Sequence, residues 1–168
     1  KLSEDGRAGV VLEVQGTALV RPAGRTRWTP LAPKAVLFPG DLVRTATRGA
    51  HAIEIEMGGG RVLLGPGSLV ETSEPKRLRV VRGELEATGG EQVALTVSGP
   101  GGFSEAVSGT AWLRAEGKHT RALEDAPRWV KGYRASASDE WMGSLLAKVD
   151  GRDVPLTNVI VNAMEAGT

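Results

Sequence analysis

The feature of this sequence that most limits its fold is an apolar–polar alternation of period two, broken about every ten residues by glycine or proline. Successive side chains of a strand point to opposite faces, so this alternation buries one face of a sheet and wets the other. His51–Met57 shows it best: His51, Ile53, Ile55 and Met57 alternate with Ala52, Glu54 and Glu56. Short apolar segments of the same kind recur at Leu42–Thr45, Arg61–Leu64, Leu69–Glu71, Leu78–Arg82, Val93–Val97, Phe103–Val107 and Thr110–Ala115. Between them stand Pro39-Gly40-Asp41, Gly58-Gly59-Gly60, Gly65-Pro66-Gly67-Ser68 and Ser98-Gly99-Pro100-Gly101-Gly102. These are reversals, because glycine reaches φ > 0 without steric cost and Asp can cap backbone N–H groups. Val10–Val14 and Thr17–Val20 around Gln15-Gly16 read as an opening hairpin. The expectation is an all-β domain over residues 8–123, a β-sandwich or jelly-roll-like fold, with a short β-solenoid-like stack as the alternative topology.

From Glu124 onward glycine thins out and the texture changes. Residues 124–144 read as a linker with a short helix, capped by Ser138 or Asp139 and carrying Trp141, Leu145 and Leu146 on one side. Residues 145–168 read as a hairpin around Asp150-Gly151 followed by a strand at Val159–Val161.

Charge and composition narrow the chemistry. The chain has 21 basic and 20 acidic side chains, so no long-range field draws it to nucleic acid or to an anionic membrane. It has no cysteine, which removes disulfides, thiolate metal sites and a cysteine nucleophile. Its two histidines are far apart, His51 on the apolar side of a strand and His119 in a polar turn, and no metal or other cofactor is expected. The glycine-rich turns lack the helix start and the Gly-Lys-Ser/Thr ending of a phosphate cradle. Glu54 and Glu56 share a strand face, but nothing nearby would raise either pKa, so they read as solvated. No run of residues is long and apolar enough to span a bilayer, so membrane attachment is expected only through segments outside this chain.

Several motifs in order resemble a FecR-like domain. They are Trp28 with Pro30-Leu31, Gly40-Asp41-Leu42-Val43-Arg44-Thr45, Ala52-Ile53-Glu54-Ile55, Arg61–Ser68, Val80-Val81-Arg82-Gly83-Glu84-Leu85 and Gly109-Thr110-Ala111-Trp112-Leu113-Arg114. The resemblance covers about residues 10–120. Ala126–Thr157 resembles the start of a VIT domain as it follows a FecR-like region in bacterial envelope proteins. The remaining residues are too few for a whole VIT domain, so the tail is expected to be a truncated start of one. The resemblance implies a periplasmic or extracellular module that takes part in signalling and is not an enzyme.

The candidate interaction residues are Trp129, Arg128 and Lys131, where an aromatic ring is flanked by cations, and Arg77 and Arg79, which share a strand face and could meet phosphate or acidic polysaccharide. Gly40, Asp41, Arg44 and Thr45 form a candidate structural turn in which Asp41 and Arg44 would make a charge-assisted pair. Trp28, Trp112 and Trp141 read as core or interdomain packing, with Trp129 the exposed one. The first functional expectation is a sensing or interaction module that binds a protein partner or neighbouring domain by strand addition or loop contact. A structural subunit of an envelope assembly, pairing copies of itself, is the second. Weak carbohydrate binding through Trp129 or Trp28 is the third.

Overall fold

The computed structural model describes residues 6–136. The chain divides into two compact units, Lys1–Val130 and Lys131–Thr168, and residues 131–136 are the described part of the second. The helix expected from Ser138, the hairpin around Asp150-Gly151 and the strand at Val159–Val161 lie outside the described residues.

Thirteen strands are present among the described residues. They are β1 (Gly9–Gln15), β2 (Ala18–Arg21), β3 (Thr29–Pro30), β4 (Val36–Leu37), β5 (Leu42–Thr45), β6 (Ala52–Met57), β7 (Gly60–Leu64), β8 (Leu69–Glu74), β9 (Arg77–Thr88), β10 (Leu95–Gly99), β11 (Phe103–Val107), β12 (Thr110–Glu116) and β13 (His119–Leu123). Residues 128–136 form a helix, α1. It begins directly after Pro127, and a proline there presets φ and sacrifices no intrahelical hydrogen bond.

The strands make two sheets that share β9. One runs β4-β1-β6-β7-β9-β12-β13 and the other β3-β2-β5-β8-β9-β10-β11. Every pairing is antiparallel except β9 with β10. The first half of β9, Arg77–Arg82, pairs with β8, and the second half, Leu85–Thr88, pairs with β7. Gly83 stands between the halves at φ 107, and a Cβ there would lie 2.3 Å from the Ser68 hydroxyl. Only glycine permits this backbone angle beside so close a neighbour.

Alternation puts Ile53, Ile55, Val62, Leu64, Leu85 and Leu113 of the first sheet on its inner face, and Val43, Val70, Leu78, Val80, Leu95 and Val97 on the inner face of the second. Together they form one buried cluster. The all-β expectation therefore holds, as two sheets on a common aliphatic core. The period-two reading of His51–Met57 also holds for Ile53, Ile55 and Met57, which are buried, while Glu56 on the other face is exposed.

The opening hairpin does not form. β1 pairs with β4 and β6, whereas β2 pairs with β3 and β5 in the other sheet. Gln15-Gly16-Thr17 is instead a corner between sheets, with Gly16 at φ 69. His51 fixes this corner: its Nδ1 accepts the Thr17 N–H at 2.9 Å and its Nε2 lies 2.6 Å from the Arg48 carbonyl. With Nδ1 accepting, Nε2 is the ring nitrogen placed to donate to that carbonyl. Trp28 and Trp112 are not in the core either. Both are half-buried on outer faces, where an indole can meet a polar group and where the aliphatic layer between the sheets need not widen for it.

Candidate functional site

The loop after β4 is organised by Asp41. One carboxylate oxygen accepts the Ala23 N–H at 3.0 Å and the other the Phe38 N–H at 2.8 Å. Gly40, at φ 91, donates its N–H to the Thr72 carbonyl at 2.6 Å. The Asp41–Arg44 pair expected from the sequence is not made. Both oxygens of Asp41 are engaged by backbone, and Arg44 extends from the opposite face of the strand, its guanidinium carbon 4.2 Å from the centre of the Trp28 ring. Alternation explains this, since Arg44 sits between the buried Val43 and Thr45 and so must point outward.

Thr45 belongs to a second, buried cluster at the end of the sandwich. Its hydroxyl donates to the Gly65 carbonyl at 2.7 Å and accepts the Ser68 N–H at 2.9 Å. The Ser68 hydroxyl donates to the same carbonyl at 2.8 Å. These bonds tie the corner after β5 to the corner between β7 and β8, opposite the bend of β9.

Trp129 lies over the outer face of the first sheet. Its ring rests on Gly65, where a Cβ would come within 2.4 Å of it, and its indole N–H donates to Glu84 Oε1 at 2.9 Å. Glu84 Oε2 accepts from Arg114 Nε at 2.6 Å. One face and the polar edge of this ring are thus engaged inside the protein. Leu123, Asp125, Pro127, Arg128, Arg114 and Trp129 line an open groove of about 650 Å³. Arg128 is exposed at its rim, and Lys131, exposed on α1, belongs to the second unit.

Arg77 and Arg79 are both exposed on the outer face of the second sheet, as their spacing required. Each has an acidic neighbour: Glu71 lies 3.0 Å from Arg79, and Glu74 lies 3.9 Å from Arg77. The basic run is therefore locally neutralised. Glu54 is similarly paired, with Arg61 at 3.2 Å. Among the described residues no three His, Cys, Asp or Glu side chains come together as a metal site, and no helix is long and apolar enough to cross a membrane.

One feature was not singled out from the sequence. β4 forms the free edge of the first sheet, and Val36 and Phe38, which flank the buried Leu37, are 40% and 49% exposed. Leu12, at a bulge on neighbouring β1, is 37% exposed. The signal was present: Val36-Leu37-Phe38 is three apolar residues in a row, and a strand with one buried face must turn two of them outward. No family model matches the chain, and neither does any curated protein or solved structure.

Proposed function

We propose that this chain is a non-catalytic, extracytoplasmic sensing or protein-interaction module of the FecR-like kind. The observation that carries the reading is the exposure of Val36 and Phe38 at the open edge of the first sheet, with Leu12 exposed on the strand beside it. Large apolar side chains gathered at a sheet edge favour contact with a protein over solvent. The contact is made by side chains of the loop rather than by strand addition, because β4 has only two residues and is flanked by Pro33, Lys34 and Pro39. A short edge with proline and lysine beside it resists pairing with a foreign strand. Asp41 anchors the backbone that carries Phe38 through the Phe38 N–H, which lowers the ordering cost of a contact there.

A binding role also suits the carboxylates, which serve the fold: Asp41 caps backbone, Glu84 holds Trp129 and Arg114, and Glu54 and Glu71 pair with arginines. The periplasmic or extracellular setting rests on the FecR-like resemblance. The test is a photoreactive residue placed at position 38 in cells that produce the full-length protein, with position 118 on the β12–β13 turn as control. A discrete protein adduct from position 38, absent at position 118 and lost in Val36→Lys, is expected. No adduct at position 38, or equal adducts at both, would remove this reading.

A further inference from the structure

The outer face of the second sheet carries arginines that no carboxylate among the described residues answers. Arg44 on β5 and Arg82 on β9 both line a cleft of about 350 Å³, together with Thr17, Leu19 and Thr47. The two arginines lie in one row across the sheet, since Arg44 pairs with Leu69 and Leu69 with Arg82. Two strand spacings separate them, roughly 10 Å at the backbone, a span that two arginine side chains can close around a small group. Among the described residues neither is in an ion pair, in contrast to Arg77 and Arg79 beside them. Arg21 on the neighbouring strand β2 likewise has no ion pair among the described residues, and its guanidinium carbon lies 5.6 Å from the Trp28 ring centre.

Arg44 is also held in position. Its guanidinium lies over Trp28, a cation–π contact that restrains the side chain, and among the described residues it forms no ion pair. A cation stacked in this way gives up little rotamer freedom when it binds, and its planar donors match the two oxygens of a carboxylate or sulfate. Thr17, Thr47 and Leu19 also line the cleft, so polar groups stand beside apolar surface, as in a small-ligand site.

We infer that the Arg44–Arg82 cleft binds a planar or tetrahedral oxyanion, with a carboxylate or sulfate of an acidic sugar as the fitting class. The arginines grip the anion from two strands while Trp28 keeps Arg44 flat. This site is separate from the apolar edge at Phe38 and stands or falls independently of it.

Calorimetric titration of the full chain with galacturonate, oligogalacturonate and inorganic sulfate tests the inference, with Trp fluorescence followed in parallel. Binding that weakens as salt rises is expected, accompanied by a change in Trp emission as Arg44 shifts on Trp28. Arg44→Gln and Arg82→Gln should each weaken binding on the order of tenfold, while Arg79→Gln should leave it within about twofold. Both positions are on an outer face, so a thermal melt that matches the parent confirms that a weakened variant is folded. Equal affinity for monomer, oligomer and sulfate assigns the cleft to a free oxyanion; tighter binding of the oligomer assigns it to an acidic polysaccharide. No binding of any probe, or binding that Arg44→Gln and Arg82→Gln leave unchanged, overturns the inference.

Discussion

Single residues in this protein act mostly through the backbone groups they satisfy. Asp41 is buried and accepts two N–H groups from separate parts of the chain, Ala23 and Phe38. Asp41→Ala would remove both bonds, and a hydrogen bond to a charged group contributes about 1.5–3 kcal/mol. We expect Asp41→Ala to lose about 2–4 kcal/mol in urea denaturation, with Asp41→Asn, which can still accept one bond, losing roughly half as much. A loss below about 0.5 kcal/mol would show that water replaces the carboxylate at no cost. The capping role of Asp41 was readable from Pro39-Gly40-Asp41, because such a turn needs an acceptor at that place. The fate of Arg44 was not, because sequence neighbours in a strand face opposite ways and its partner, Trp28, lies sixteen positions earlier in the numbering. The same limit applied to Arg79: its shared face with Arg77 was legible, but Glu71 comes opposite it only through the pairing of β8 with β9, whereas Glu74 stands three residues before Arg77 in the sequence.

At the level of elements, period two fixed which side chains are buried but not which strand lies beside which. Gln15-Gly16 looks like a hairpin turn, yet β1 and β2 lie in different sheets. A glycine at φ > 0 serves a corner as well as a hairpin, so the local signal cannot separate them. Gly58-Gly59, by contrast, does close a hairpin between β6 and β7. Long-range contacts at the corners decide the matter: His51 on Thr17, and Thr45 on Gly65 and Ser68. The bend of β9 offers a direct test. Gly83→Ala meets both an unfavourable backbone angle and the Ser68 side chain, for a loss of about 3 kcal/mol. Gly59→Ala has a similar positive φ of 86 but open space around the new methyl, and should lose only about 1 kcal/mol. Equal losses in thermal denaturation of the two variants would mean that Ser68 moves aside and that the corner is softer than its hydrogen bonds imply.

For the whole described molecule, two outer faces differ in character while the core between the sheets is mainly aliphatic. The first sheet carries Trp112 on Glu86, Trp129 on Glu84 and the apolar edge at Phe38; the second carries the arginine row around Trp28. A net charge of +1 conceals this division, which is why composition pointed to no charged partner. Because β9 is a member of both sheets, neither sheet is a closed hydrogen-bonded unit without it. Hydrogen exchange should therefore find the slowest amides on both halves of β9, with similar opening free energies on either side of Gly83. Distinct protection levels for Arg77–Arg82 and Leu85–Thr88 would instead show two sheets that open separately.

One twelve-residue strand threads both layers, so a tug on either is carried along the covalent chain to the other. The apolar edge and the arginine row therefore sit on layers joined through a single covalent strand.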